Sequence, residues 1–236
     1  MLQACLNGDR TAEFHPGVPR TPEELARDAR RVVAAGAEEL HVHPRGADGL
    51  ESLEPDDVAA ALAAIRAAVP GVPVGLSTRW EIRPCGAARR EPIARWNHRP
   101  DYVSINLVEA DAPEMIRLML GMGIGVEAGL WSVTDAERFV RLAEAPACLR
   151  VLIEINEQDA AEGLAVAHGV RAVLAGAGLA LPILLHGYDA TVWPLYRESR
   201  ALGLDGRIGF EDGALLPPGR VAADNAELIQ AARGIG

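Results

Sequence analysis

Two histidines one residue apart, and an acid far downstream, concentrate the chemistry of this chain. His41-Val42-His43 closes the run Glu38-Glu39-Leu40-His41-Val42-His43, which follows a helical segment ending at Gly36. Strand side chains alternate between faces, so His41 and His43 point one way and Leu40 and Val42 the other. Two imidazoles one pleat apart can reach a single metal ion. The ordinary reading is a hydrogen-bonded core histidine beside one at a strand end, because short motifs recur by chance. Glu211 supplies the acid. A two-histidine, one-carboxylate set leaves coordination positions open for water or substrate, as a catalytic ion requires. Zinc is the first choice, and Mn or Fe(II) suits the same ligand types.

These residues need strands to carry them. Short apolar runs at 2–6, 38–43, 72–77, 102–107, 124–129, 150–155, 181–186 and 207–210 read as eight strands. Helical periodicity follows each of them, at 22–36, 54–69, 91–97, 112–120, 135–143, 160–175, 192–202 and 225–233. The stretch 79–99 is the hardest to read. Thr21-Pro22-Glu23-Glu24 is a helix start, with Thr as N-cap, Pro at N1 and Glu at N3. Eight strands each followed by a helix predict an α/β fold, the (β/α)8 TIM barrel. The rival, a doubly wound open sheet, lacks a Gly-x-Gly-x-x-Gly after its first strand. No linker or shift in composition interrupts 1–236, so the expectation is a single TIM-barrel domain.

In such a barrel the carboxyl ends of the strands face the active-site mouth. Here they give Asn7, His41 with His43, Ser77, Ser104 with Asn106, Glu127, Glu154 with Asn156, His186, and Arg207 with Glu211. Strands do become polar where they meet loops, which explains a Ser or an Asn. It explains three carboxylates, three histidines and an arginine poorly. Since strands two and eight flank strand one, Glu211 can close on the ion held by His41 and His43. Arg207 shares the inward phase of strand eight with Glu211. It either pairs with Glu127 or grips a substrate carboxylate. Glu127, between Gly125 and Gly129, is a general base or a salt-bridge partner. His186 is a ligand, an acid or an ordinary loop histidine, while His15, His98 and His168 read as surface or loop residues.

Composition narrows the partners. The net charge is −10 with no basic block, which argues against a nucleic-acid surface. All 23 basic residues are arginine, so lysine Schiff-base chemistry is excluded. Cys5, Cys85 and Cys148 are odd in number and far apart, as in a reducing cytoplasm. No run approaches a membrane span and no signal-peptide pattern opens the chain, so the expected location is cytoplasmic, without a membrane.

The chain also resembles a known family, the β-keto acid cleavage enzymes, typified by 3-keto-5-aminohexanoate cleavage enzyme. The matching marks are the early Asn7-Gly8 loop leading to His15-Pro16-Gly17-Val18-Pro19-Arg20-Thr21-Pro22-Glu23-Glu24, then Ala35-Gly36-Ala37 before His41-Val42-His43-Pro44-Arg45. Ser77-Thr78, Glu127 and Arg207-Ile208-Gly209-Phe210-Glu211-Asp212 follow in order. The resemblance implies a zinc-bearing barrel with the ion on His41, His43 and Glu211. It puts Arg207, Asp212, Glu127 and Ser77 around the substrate. With Asp9 these make up the expected catalytic set, and Asn7, Thr78, Arg45, Asn106 and His186 are the expected substrate-binding residues. The implied reaction joins a β-keto acid with acetyl-CoA, giving an acyl-CoA and acetoacetate, in a homo-oligomer.

Three departures stand out. Arg79-Trp80 follows Thr78 where glycines are expected, Asp9 is one carbon shorter than the expected Glu, and His186-Gly187-Tyr188-Asp189-Ala190-Thr191-Val192-Trp193 differs from the family form. The alternative function is another metal-dependent barrel hydrolase or isomerase acting on a small carboxylate. A non-catalytic barrel that binds ligand is the third class.

Overall fold

A computed structural model describes residues 1–217 and 219–235. Its strands are β1 (Leu2–Cys5), β2 (Glu39–Val42), β3 (Val74–Ser77), β4 (Tyr102–Asn106), β5 (Gly125–Leu130), β6 (Arg150–Ile155), β7 (Ile183–Gly187) and β8 (Asp205–Ile208). They follow one another in chain order around a closed parallel barrel, the (β/α)8 topology. The helices are α1 (Pro22–Ala35), α2 (Pro55–Ala68), α3 (Arg90–Ala94), α4 (Ala112–Gly121), α5 (Val133–Phe139), α6 (Ala160–Gly176), α7 (Val192–Ala201) and α8 (Asn225–Arg233). The chain divides into two compact units, Met1–Asp101 with Ile208–Gly236, and Tyr102–Arg207. Each is described by itself.

In the first unit, α1 begins as its sequence dictates. The Thr21 hydroxyl accepts from the Glu24 amide, and the Glu24 carboxylate accepts from the Thr21 amide. Gly36 ends the helix in a left-handed conformation, φ +111°, which a glycine adopts without steric cost. Parallel pairing sets Cys5 beside His41 and His41 beside Gly75. The strands are buried along their whole lengths, as expected where a parallel sheet is covered on both faces.

Strand eight lies earlier than 207–210. It ends at Ile208, and the chain turns at once, with the Asp212 and Gly213 amides both donating to the Gly209 carbonyl. Only glycine fits at the start of this turn, because a β-carbon on Gly209 would collide with the Cys5 carbonyl oxygen. Glu211 is therefore aimed by a turn and not by strand phase. Asn225, at the start of α8, locks this region. Its side-chain oxygen accepts from the Phe210 amide at 2.7 Å, and its NH2 donates to the Leu6 carbonyl at 2.8 Å and to Asp28 at 2.7 Å.

The stretch 79–99 contains a 3-10 turn, Gly86–Arg89, running into the short α3. The buried Arg89 guanidinium donates to the Thr78 and Gly86 carbonyls and lies 5.0 Å from the Trp80 ring. Trp80 thus becomes the platform for this segment.

In the second unit, α5 starts two residues before the expected 135, because the Ser132 hydroxyl caps it by accepting from the Asp135 amide. Register places Glu154 beside His186 across β6 and β7, and Ser104 beside Glu127 across β4 and β5. Gly129 leaves room for Asn106, whose side-chain oxygen lies where a β-carbon would go.

Candidate metal centre

Among the described residues, His41, His43 and Glu211 offer one donor atom each, all within 4.8 Å of one another. The two Nε2 atoms are 3.2 Å apart, His43 Nε2 lies 3.3 Å from Glu211 Oε1, and His41 Nε2 lies 3.7 Å from Glu211 Oε2. Ligands about 2.0–2.1 Å from a tetrahedral ion stand about 3.3 Å from each other. The triangle fits a zinc-sized cation. All three residues are buried, His41 and His43 almost fully.

The electrostatics agree with the geometry. Burial disfavours a charged His43 ring. The negative charge of Glu211, with hydrogen bonds to Glu211 and Glu51, outweighs it and lifts the His43 pKa to about 9. A pocket that holds a proton so firmly also favours a divalent cation.

The surrounding residues hold this cluster in place. Asn7 grips His43 at both backbone ends: its oxygen accepts from the His43 amide at 2.9 Å and its NH2 donates to the His43 carbonyl at 2.8 Å. The same NH2 reaches the Pro19 carbonyl. Arg45 donates to the carbonyls of Gly8, Arg10 and Gly49, and burial lowers its pKa. Asp212 is fully buried and accepts from the Cys5 thiol at 3.0 Å. Ser77 and Thr78 are buried where β3 ends. Asp9 is exposed and pairs with Arg79 at 3.0 Å.

Glu51 was not among the sequence candidates. One of its oxygens lies 2.5 Å from His43 Nδ1 and the other 2.9 Å from an Arg79 nitrogen. Burial pushes the Glu51 pKa up, but His43 and the arginines Arg79 and Arg45 bring it below the usual value. Its only signal in the sequence was position, eight residues beyond His43 in a loop rich in acids.

In the second unit, Glu127 is fully buried and accepts from Arg150 Nε at 2.6 Å, with the guanidinium 4.7 Å from the Tyr102 ring. Arg150 was not among the sequence candidates. Arg207 is itself buried on β8. His186 is buried too, its Nε2 lying 3.6 Å from Glu154, with the Tyr188 ring at 5.3 Å. Asn106 is half-buried at the end of β4.

Of the three histidines read as surface or loop residues, His98 and His168 are exposed. His15 lies in a loop but is buried, its Nε2 2.9 Å from the Ala222 carbonyl and its ring 4.2 Å from that of Phe210. It is a structural brace. Among the described residues no helix is long and apolar enough to cross a membrane.

Fold and donor set together define a class: parallel β/α barrels with a three-donor cluster suited to a divalent ion. Within it, this chain belongs to the β-keto acid cleavage enzyme family, whose model matches residues 1–236. The reaction class is that of a carbon–carbon lyase and acyltransferase. It is 21% identical over 245 residues to 3-keto-5-aminohexanoate cleavage enzyme of Acetoanaerobium sticklandii, covering 96% of this chain and 87% of that one. The enzyme of the same name from Fusobacterium nucleatum is 22% identical over 248 residues, with the same coverage. Among solved structures, a ternary complex of ObcA with a C4-CoA adduct and oxalate superimposes with a TM-score of 0.74 at 16% identity. That likeness covers 93% of this chain and 63% of the ObcA chain, and it shows the fold.

Proposed function

We propose that this enzyme cleaves a β-keto acid with acetyl-CoA, using a zinc ion held by His41, His43 and Glu211. The bond between the keto carbon and the neighbouring methylene breaks. The acyl part leaves on the CoA sulfur, and the remaining acetate fragment takes the acetyl group, giving acyl-CoA and acetoacetate. The observation that carries this reading is the buried triangle of donors in a chain of this family. Thioester use draws support from the CoA adduct in the ObcA complex. When bound, the ion supplies positive charge for the anion that develops as the carbon–carbon bond breaks.

The chain's own residues do the rest. Asn7 keeps His43 at the height of His41, and Arg45 ties down the loop carbonyls beside it. In the first unit, Asp212, Ser77 and Asp9 are the proposed catalytic groups, with Thr78, Arg45 and Asn7 on the substrate side. In the second, Arg207 is proposed to grip a carboxylate and Glu127 to move a proton, with Asn106 and His186 as substrate contacts. The support for Glu127 is its fixed orientation against Arg150. We propose in addition a single domain, a homo-oligomer and a cytoplasmic setting. Cys5, Cys85 and Cys148 are thiols outside any disulfide, which suits reducing conditions.

The test is a panel of β-keto acids incubated with purified protein, with and without acetyl-CoA, alongside elemental analysis. Acetoacetate formed only with the thioester, by protein carrying about one zinc per chain, is the expected result. Product formed with water alone would make it a hydrolase. No turnover at full metal loading would make it a binding protein.

A further inference from the structure

Glu51 and Arg79 form a connected unit beside the donor triangle. The Glu51 carboxylate is engaged at both oxygens, one by His43 Nδ1 at 2.5 Å and one by Arg79 at 2.9 Å. Arg79 donates in addition to Asp9 at 3.0 Å. Three loops are thereby joined, those following β1, β2 and β3. The backbone of Glu51 is fixed as well, through an antiparallel bridge to Arg45, whose guanidinium holds the loop after β1.

A histidine presents a lone pair at Nε2 only when its hydrogen sits on Nδ1, and it aims that lone pair only when the ring cannot rotate. One acceptor at Nδ1 meets both requirements. A carboxylate held at its far oxygen by a guanidinium is a better anchor than a mobile one, because it cannot swing away.

We propose that Glu51, itself held by Arg79, is the positioning residue that fixes the His43 ring so that Nε2 faces the cation. This rests on the metal reading above and extends it to two residues that the reading did not assign. It also gives a role to Arg79, which pairs with both Glu51 and Asp9. The competing account is a partly buried salt bridge that merely staples loops together. That would move the melting temperature and leave metal affinity alone.

The experiment measures zinc affinity by competition with a chelator, together with thermal melts, on the full chain. Glu51→Ala is expected to weaken zinc binding about 10- to 100-fold. Glu51→Asp, which retreats by one carbon, should weaken it too, while Glu51→Gln, which still accepts from Nδ1, should keep most of it. Arg79→Ala should lose less, and should add nothing to Glu51→Ala, since it acts through that residue. Glu51→Ala binding zinc within about twofold of the unsubstituted protein overturns the assignment, as does Glu51→Gln losing as much as Glu51→Asp. If Glu51→Ala fails to fold, the contrast between Asp and Gln decides alone. Should the unsubstituted protein bind no zinc, the metal reading falls and this assignment with it. Should His41→Ala abolish binding while Glu51→Ala leaves it intact, only the assignment falls.

Discussion

Gly8 and Glu211 compete for one volume. A β-carbon on Gly8 would sit 2.5 Å from Glu211 Cγ and 3.0 Å from its Cβ, and the Gly8 φ of +55° already disfavours any larger residue. The carboxylate of the donor triangle thus lies directly over a glycine that follows β1. Gly8→Ala is expected to displace Glu211 and to weaken zinc affinity about tenfold or more. Chelator competition reads the loss. A Gly8→Ala protein with unchanged affinity would show that Glu211 is not a ligand or that it has room to spare.

Asn225 is the bolt between β1, α1 and the turn that carries Glu211. Its amide serves the Phe210 amide, the Leu6 carbonyl and the Asp28 carboxylate, all of them buried. Asn225→Ala strands two backbone groups at once. The expected cost is about 3 kcal/mol, read as a lower midpoint in urea denaturation. A loss below about 1 kcal/mol would mean that water replaces the amide.

Asp28 should make stability depend on pH in an unusual direction. Burial raises its pKa from 3.8 to about 6, with the Asn225 hydrogen bond pulling part of the way back. The folded chain therefore binds this proton more tightly than the unfolded chain does. Its stabilising share is complete below about pH 4, fades as the pH rises through 6, and is absent above. Compared with Asp28→Asn, the unsubstituted protein should lose up to about 3 kcal/mol between acid and alkaline ends of that window. Urea melts of both proteins at several pH values give the difference, and parallel curves would refute it.

Arg150 holds a fully buried acid. Removing it in Arg150→Met takes the hydrogen-bonded cation from Glu127. The expected destabilisation is about 3–5 kcal/mol. Replacing both partners by apolar residues should recover part of that, since no buried charge is then left behind. Denaturation of the single and double variants forms the test. A double variant no better than Arg150→Met would show that the pair is not the source of the cost.

The barrel was legible in the sequence because most strands are short apolar runs and helices such as α1 carry their own start signal. Thr21 and Glu24 form the capping box that their spacing implies, and Gly36 stops the helix. The pair His41 and His43 was legible for the same reason: alternation along a strand is a local rule. Glu211 lies near His41 and His43, but strand phase does not bring it there: a turn beyond Ile208 aims it.

What the chain spells out locally is where its strands, helices and donor types lie, because hydrophobic period and capping act over a few residues. Glu51 against His43, Arg150 against Glu127 and Asn225 against Leu6 join residues 8, 23 and 219 positions apart. No local rule selects among the many acids, arginines and amides that could have filled those places. Folding chooses them, since a buried charge or amide must find its partner in space, whatever its distance along the chain.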